Sequence, residues 1–317
     1  MSIKGWSVAD IPDLTGMTAV VTGANRGIGL EVTRGLACKG AHVVLAVRRT
    51  GRGDEAAAAI RATSPGAWME VMALDLADLA SVHRFAAAVS SRWQALDLLV
   101  NNAGVGSASL RRTADGFELV FGTNHLGHFA LTGLLLPALT GPPTARVVTV
   151  ASLAHARGHI DFGNLDAAHG YAMGRAYAQS KLANLLFAYE LHRRMSAAGA
   201  GVLSVAAHPG WAATEMEVRP PGEHRRPLEQ VAHVLTMHLA ATPAQGAQPI
   251  LYAATSPAVR GGDYIGPRSG LRGPPAPVRS SDRSHDPDLA RRLWQVSEDM
   301  TGVHFNFPAA ATRPLLP

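Results

Sequence analysis

A glycine-rich turn between a short apolar run and a helical pattern constrains the fold of this chain most. Residues 18–21 are β-branched and apolar, and Thr22-Gly23-Ala24-Asn25-Arg26-Gly27-Ile28-Gly29 follows at once, before a helical pattern that reaches Lys39. Glycines at this spacing permit a tight turn, close approach of the backbone to a pyrophosphate and close packing of helix on sheet. The start of the helix would present free N–H groups to a phosphate. This order predicts a dinucleotide site, with a plain glycine turn as the alternative.

Apolar runs continue to alternate with helical patterns along the chain. Strands are expected at residues 42–47, 68–74, 96–100, 145–150 and 202–206. Helices are expected between them, at residues 54–62, 79–93 and 175–195, and residues 113–139 should form one broken helix or two adjoining helices. Such alternation is typical of a parallel sheet with helices on both faces. We therefore predict a Rossmann-like, doubly wound parallel α/β sheet in a single domain over residues 1–317, with its core at about 15–265 and a C-terminal extension at 266–317.

The pattern is less regular after residue 206. Residues 211–227 contain three prolines and several charges, which predicts a loop or flap. An amphipathic helix is predicted from Leu228, Val231, Leu235 and Leu239. The capping-box pattern of residues 242–245 starts another helix that reaches about residue 254. Residues 266–281 should be an extended loop, and a last helix is predicted from residue 287.

Composition limits the classes of function. Dispersed arginines give a formal charge of +5, with no block of like charges that would indicate nucleic acid or a membrane patch. Because Cys38 is the single cysteine, an internal disulfide and a multi-cysteine metal site are excluded. Residues 1–13 lack the apolar segment of a signal peptide, and the apolar run at 129–139 is short for a bilayer. We expect a cytoplasmic protein with no nucleic-acid or membrane partner and an affinity for an anionic ligand.

The end of the second predicted strand indicates which dinucleotide would bind. An NAD site places a carboxylate there for the ribose 2′-hydroxyl, whereas this chain has Arg48 and Arg49, with no acid until Asp54. A guanidinium suits a 2′-phosphate, and Arg26 can reach the same region. We therefore predict NADP(H) rather than NAD, with a solvated arginine surface as the alternative.

Polar residues also follow the third and fourth predicted strands. Asp75, next to Leu76, could accept from an adenine amine or belong to the N-cap region of the next helix, and the sequence favours neither. Asn101-Asn102-Ala103-Gly104 lies where ligands bind at the carboxyl ends of parallel strands. Its alternative is an ordinary Asn/Gly turn.

Tyr177 and Lys181 are four residues apart on a predicted helix. Residues at this spacing share a helix face, so the phenol and the ammonium project to one side. A fixed cation near a phenol favours the phenolate, and we expect Lys181 to lower the pKa of Tyr177. Tyr177 could then serve as a general acid or base, although such pairs also occur by chance.

Together these segments resemble the short-chain dehydrogenase/reductase family over about residues 15–255. The resemblance rests on the order and spacing of residues 22–29, residues 101–104, Asn124, Ser152, Tyr177 with Lys181, and His208-Pro209-Gly210 with Thr214. Residues 124–129, 154–155 and 180–188 and the tail around Leu293-Trp294 are similar to the branch that contains retinol dehydrogenases and protochlorophyllide reductases.

The resemblance implies a role for each catalytic residue. Tyr177 would give a proton to the substrate carbonyl oxygen, or remove it from an alcohol, while Ser152 would hydrogen-bond that oxygen. Lys181 would bind the nicotinamide ribose and Asn124 would hold a water beside it. The cofactor contacts implied by the resemblance and the strand ends are Gly23, Asn25, Arg26, Gly27, Ile28, Gly29, Arg48, Asp75, Leu76, Asn102, Ala103, Gly104, Tyr177, Lys181, Pro209, Gly210 and Thr214.

Two features of the sequence qualify this picture. Ala151 stands where many relatives of the branch have a serine, which leaves local substrate contacts open but keeps the Ser152 hydroxyl. Five histidines, His125, His128, His155, His159 and His169, lack the spacing of a zinc helix. We expect no metal, and histidines that are packed or at the surface.

The sequence therefore predicts an NADP-dependent carbonyl reductase or alcohol dehydrogenase that acts on an apolar small molecule. The apolar character comes from Trp211, Met216 and Val218 in the predicted flap. A non-catalytic NADP(H) sensor or scaffold and a carbon–carbon double-bond reductase are the alternatives. Because many members of the family pair through the helix with the Tyr and Lys, a homodimer or homotetramer is expected.

Overall fold

The computed structural model describes residues 5–142, 144–211 and 241–308, together with the backbone of residues 217–218. The amphipathic helix predicted from Leu228 and most of the flap predicted at 211–227 lie outside the described residues. Thr214 and Met216 also lie outside them, as does the side chain of Val218.

The described residues form ten strands, eight of which make one sheet. In chain order the strands are β1 (Thr18–Thr22), β2 (His42–Val47), β3 (Met69–Ala73), β4 (Leu98–Asn101), β5 (Gly106–Ser107), β6 (Arg146–Val150), β7 (Leu203–Ala207), β8 (Glu217–Val218), β9 (Tyr264–Pro267) and β10 (Pro275–Pro277). The large sheet has the order β10-β9-β7-β6-β4-β1-β2-β3, and β5 pairs with β8 separately. All neighbours in the large sheet are parallel except β9 and β10. The predicted Rossmann-like sheet is confirmed.

Seven helices connect and cover these strands in the part of the chain that the structure describes. They are α1 (Gly27–Ala37), α2 (Thr50–Thr63), α3 (Leu79–Arg92), α4 (Leu119–Leu139), α5 (Met173–Ala197), α6 (Pro243–Thr255) and α7 (Pro287–Thr301). Within α4 the residues Gly122–Leu126 form a π turn. The capping box predicted at the start of α6 is confirmed, since the Thr242 side chain accepts from the Gln245 N–H.

The inner strands of the large sheet are buried on both faces, as expected for a parallel sheet between two helical layers. All six residues of β2 are buried. Apolar side chains of α1, α2 and α6 pack on one face of the sheet, and those of α3, α4, α5 and α7 pack on the other. Of the described helices, only α4 is long and apolar enough to cross a membrane, and 89% of its most apolar window is buried in the fold. Helix α4 is therefore a core helix.

The C-terminal extension is part of this core. Asp286 caps α7, whose Trp294 stacks on Phe187 of α5 with 5.8 Å between the ring centroids. Every residue of α5 from 180 to 191 is buried. The prediction of an extended loop at 266–281 is wrong for the part of that segment that forms β10. Its prolines fit because β10 is an edge strand, where a missing N–H breaks no ladder.

Candidate functional site

The predicted site residues gather at one edge of the sheet. Strands β1, β2, β4, β6 and β7 run parallel, so their carboxyl ends face the same way. The segments that follow these five strands begin with Gly23, Arg48, Asn102, Ala151 and His208. This edge is where an open parallel sheet binds its ligands.

The glycine turn has the backbone geometry that its sequence requires. Gly23 and Gly27 have φ of +65° and +55°, in the left-handed region. A Cβ on Gly29 would collide with the carbonyl oxygen of Gly23 and would lie 2.5 Å from Nδ2 of Asn102. Between these glycines, Asn25 is half-buried and Arg26 is exposed, while Ile28 is buried at the start of α1. The start of α1 thus lies so close to the turn that only glycine fits at position 29.

A hydroxyl group joins this turn to the end of β4. Thr22 Oγ1 accepts hydrogen bonds from the N–H groups of Asn102 and Ala103, both at 2.9 Å. Nδ2 of Asn102 donates to the Thr22 carbonyl at 2.8 Å. The same hydroxyl lies 2.9 Å from Nε2 of His128 in α4. The side-chain amide of Asn102 therefore holds the turn, and its contact with a cofactor stays a prediction.

The residues predicted for the adenosine end lie beside the turn. Arg48 directly follows β2 and is exposed. Asp75 Oδ1 accepts from the N–H of Ala77 at 3.0 Å, and the N-cap of α3 is Asp78. The side chain of Leu76 is buried. Asp75 thus stabilises a local turn before α3, and its adenine contact stays a prediction.

Helix α5 brings Tyr177 and Lys181 to the end of β6. Lys181 is buried, its Nζ lies 5.7 Å from the centroid of the Tyr177 ring, and it donates to the Val150 carbonyl at 3.0 Å. Nδ2 of Asn184 donates to the same carbonyl at 3.1 Å. Sequence reasoning missed Asn184, although its position three residues after Lys181 places it on the same helix face. Ser152 follows Val150 by two residues, so all these groups surround one strand end.

Burial controls the protonation of this pair. It raises the pKa of Tyr177 to about 12, although a hydrogen bond with Ser152 opposes the rise. Burial also lowers the pKa of Lys181 to about 8. The prediction that Lys181 lowers the pKa of Tyr177 is therefore wrong, because desolvation dominates at this depth. A phenol that stays protonated at neutral pH is suited to donate a proton to a substrate oxygen.

The π turn of α4 determines the position of Asn124. Its Oδ1 accepts from the N–H of Val105 at 2.8 Å, while Nδ2 donates to the Val105 carbonyl and to Ser180 Oγ, both at 3.0 Å. A Cβ on Gly104 would lie 3.5 Å from Lys181 Nζ and 3.6 Å from Asn124 Oδ1. Asn124, Gly104 and Lys181 thus lie close together. The amide of Asn124 is engaged with the β4–β5 loop, and its water beside Lys181 stays a prediction.

The segment after β7 closes another side of this edge. Pro209 and Gly210 are half-buried, and Gly210 has φ of +72°. A Cβ on Gly210 would collide with the carbonyl oxygen of Leu271, which also accepts from the Trp211 N–H at 3.2 Å. The 208–211 segment is therefore held against the loop between β9 and β10. Thr214 lies outside the described residues.

Two buried polar side chains near this edge were not predicted. His208 Nε2 and Tyr264 Oη have no hydrogen-bond partner within the described residues, and the two rings lie 5.1 Å apart. Burial lowers the pKa of His208 to about 4 and raises that of Tyr264. His208 belongs to a segment that the sequence singled out, whereas no local signal marks Tyr264.

Comparison with known proteins gives consistent matches. The family model described as short chain dehydrogenase matches residues 17–221. Retinol dehydrogenase 11 of Mus musculus is 40% identical over 291 residues, which are 92% of this chain and 88% of the relative. Dehydrogenase/reductase SDR family member 13 of Homo sapiens is 42% identical, over 95% of this chain and 77% of the relative. The crystal structure of an uncharacterized protein from Mycobacterium paratuberculosis is 42% identical, with a TM-score of 0.80 and coverage of 95% and 99%.

Proposed function

The chain belongs to the short-chain dehydrogenase family, in its retinol-dehydrogenase-like branch, and is an oxidoreductase that uses a nicotinamide cofactor; we propose that it reduces a ketone or aldehyde of an apolar small molecule with NADPH, or oxidises the matching alcohol. The convergence of Ser152, Tyr177 and Lys181 at the edge that carries the glycine turn supports this most directly. A protein that only sensed NADP(H) would have no need of this set.

The residues present fit a dinucleotide. The absence of a Cβ at Gly29 lets α1 begin in close contact with Gly23 and Asn102, and the N–H groups and dipole of this helix start would stabilise the charge of a pyrophosphate. Arg48, exposed at the end of β2, would bind the ribose 2′-phosphate, with Arg26 on the same side. When bound, the cofactor supplies the hydride for the substrate carbon.

The chain itself would move one proton and orient the substrate. Ser152 Oγ would hydrogen-bond the substrate oxygen, and the protonated Tyr177 would donate to that oxygen as negative charge develops on it. With the pKa of Tyr177 at about 12, donation is favoured over removal of a proton at neutral pH. Lys181 would hold the nicotinamide ribose.

Exposed apolar side chains support an apolar substrate. Leu153 follows Ser152, Met173 starts α5, and Trp211 follows Gly210. These three residues and Leu271, which is bonded to Trp211 through the backbone, have exposed fractions of 37%, 43%, 51% and 45%. Apolar groups at these positions would contact the apolar part of a substrate held by Ser152 and Tyr177. The names of the relatives, which include retinol dehydrogenases, are in line with an apolar alcohol or carbonyl.

Self-association through α5 would need a free face on that helix. Residues 180–191 are all buried by the chain itself, and α7 packs along them. We therefore propose that a homodimer or homotetramer would use another surface. A cytoplasmic location also stays a proposal, which cell fractionation with a marker enzyme tests.

The test of this function is a binding and turnover assay. NADPH and NADH are titrated by fluorescence, and NADPH absorbance is then followed against long-chain aldehydes, ketones, quinones and retinal. We expect NADPH-dependent turnover of apolar carbonyls and little turnover with NADH. Tight NADPH binding without turnover of any carbonyl would overturn the reductase and support a sensor.

The cofactor preference has its own test. Arg48→Asp should weaken NADPH by about tenfold or more while NADH changes little, because a charge-assisted bond to phosphate is lost. Arg52→Asp, on the exposed side of α2, makes the same change of charge and should leave the NADPH to NADH ratio unaltered. An unchanged ratio in Arg48→Asp would show that the 2′-phosphate does not bind there.

A further inference from the structure

A buried histidine, His155, links the loop that carries Ser152 to the C-terminal extension. We infer that His155 is a positioning residue that fixes the main chain of Ser152 to the C-terminal extension and so sets the place of the Ser152 hydroxyl. The inference rests on the proposed function, in which Ser152 binds the substrate oxygen. It assigns a part in the chemistry to residues 278–285, which lie beyond the 17–221 segment matched by the family model.

The two ring nitrogens of His155 have different, defined roles. Nδ1 lies 2.6 Å from the Ser152 carbonyl oxygen, which can only accept, so Nδ1 carries the proton and donates. Nε2 accepts from the N–H of Ser281 at 3.1 Å, because an amide N–H can only donate. A ring that donates at one nitrogen and accepts at the other is neutral. Burial, which lowers the pKa of His155, keeps it so.

The segment that His155 reaches is itself anchored to the fold. Ser280 Oγ lies 2.8 Å from the Tyr189 hydroxyl of α5, and Arg283 donates to the Gly158 carbonyl at 2.5 Å. The His155 ring also packs edge-on against Tyr264 of β9, with 5.5 Å between centroids. His155 therefore connects the Ser152 loop to a rigid support rather than to solvent.

This support bears on the geometry of the hydroxyl. Ser152 starts the 3₁₀ turn Leu153–Arg157, its Oγ accepts from the Ala154 N–H at 3.2 Å, and it is hydrogen-bonded to Tyr177. The Ser152 carbonyl also accepts from the backbone N–H of His155 at 3.1 Å, so the His155 ring makes the second bond to this carbonyl and the one that links it to the C-terminal extension. Because small displacements of a positioning group reduce rates strongly, loss of the His155 bond should lower turnover.

Substitutions of His155 separate its two hydrogen bonds. His155→Asn places an amide N–H near the Nδ1 position and keeps the donor to Ser152, whereas His155→Gln reaches the Nε2 position and keeps the acceptor for Ser281. His155→Phe keeps the ring and removes both. We expect His155→Phe and His155→Gln to lower kcat by about tenfold or more, with NADPH affinity unchanged, and His155→Asn to restore kcat to within about threefold of wild type. His159→Phe, in the same loop and exposed, is the matched control and should leave kcat unchanged.

A double-substitution cycle shows whether His155 acts through Ser152. With Ser152→Ala in place, the further change His155→Phe should lower kcat by less than about twofold, since there is no hydroxyl left to position. A full additional tenfold loss, or equal losses in His155→Asn and His155→Gln, would overturn the inference. Unaltered turnover in Ser152→Ala alone would instead overturn the proposed role of Ser152. If His155→Phe fails to fold, the Asn and Gln variants decide the question by themselves.

Discussion

The glycine turn and the Ser152 loop lie on the same edge of the sheet, but different forces hold them. The turn is held by backbone geometry, in which Gly23 and Gly27 take positive φ and Gly29 has no room for a Cβ. At the Ser152 loop, Lys181 and Asn184 of α5 donate to the Val150 carbonyl just before the loop, and the loop's own His155 accepts from the N–H of Ser281 in the C-terminal extension. The first region depends mainly on its own glycines, with support from Asn102, and the second on hydrogen bonds with α5 and the C-terminal extension.

The two regions also differ in the free energy they contribute to folding. The turn buries no charged group, and its hydrogen bonds are made by Thr22 and Asn102. Near the Ser152 loop, Lys181 is buried with a lowered pKa, and His208 and Tyr264 keep polar atoms without partners in the described part of the chain. Buried polar groups of this kind destabilise a fold. The region around the Ser152 loop thus carries a stability penalty of the kind that functional sites often require.

The largest effect on turnover is expected from a substitution of Tyr177, beside the Ser152 loop. Tyr177→Phe removes the proton donor but keeps the ring, so kcat should fall by about 10²–10⁴-fold. NADPH affinity should change by less than about twofold, because the phenol hydroxyl bonds to Ser152 rather than to the glycine turn. Steady-state kinetics and fluorescence titration measure the two quantities.

Tyr252→Phe is the control for this change, because Tyr252 lies on α6 and packs against Trp6, away from the edge. It should leave both quantities near wild type. Equal losses of turnover and NADPH affinity in Tyr177→Phe would mean that the phenol supports both regions, and the distinction between them would fail.

A smaller effect, on binding and stability, is expected at the turn. Gly29→Ala forces a Cβ onto the Gly23 carbonyl, a backbone atom that cannot rotate away. Such overpacking costs about 1–3 kcal/mol of unfolding free energy. NADPH affinity should fall by about tenfold or more, because the same Cβ displaces the backbone of the turn that would bind the pyrophosphate. Gly51→Ala in α2, where a Cβ meets nothing within 4 Å, is the control and should be neutral or stabilising. Identical urea-unfolding curves for the two variants would contradict this account of the turn.

The smallest expected change in unfolding free energy is a gain in stability rather than a loss. Lys181→Met should inactivate the enzyme yet stabilise it at pH 7, because a buried ammonium with a pKa of about 8 is replaced by an apolar chain. The lowered pKa corresponds to about 3 kcal/mol, from which about 1 kcal/mol for the lost hydrogen bond is subtracted. Asn184 still donates to Val150, so the carbonyl is not left bare. We expect a net gain of about 1–2 kcal/mol in urea unfolding at pH 7.

This gain should depend on pH in a defined direction. Between pH 8 and 10.5 the folded wild type binds fewer protons at Lys181 than the unfolded chain does, so wild-type stability rises with pH. The advantage of Lys181→Met should therefore shrink over that window and be constant below it. A variant that is less stable than wild type at pH 7 would show that Lys181 stabilises the fold.

The sequence was informative where structure depends on neighbouring residues. Spacing alone predicted the glycine turn, the α5 pair Tyr177 and Lys181, and the alternating strands. It did not predict the π turn that places the Asn124 amide on Val105, or the β10 strand within a proline-rich segment. These features depend on contacts between residues far apart in the chain. The prediction for the pKa of Tyr177 was wrong for the same reason. The burial of α5 comes from packing against distant segments, which no local sequence pattern indicates.

The most direct test of the central claim follows the hydride itself. NADPH carrying deuterium at both hydrogen positions of the nicotinamide C4 is incubated with the purified protein and the apolar carbonyl that gives the highest turnover. We predict one deuterium on the carbinol carbon of the product, seen by mass spectrometry, and no labelled product with Tyr177→Phe. Product with no deuterium, or label that appears equally with Tyr177→Phe, would contradict hydride transfer at this site.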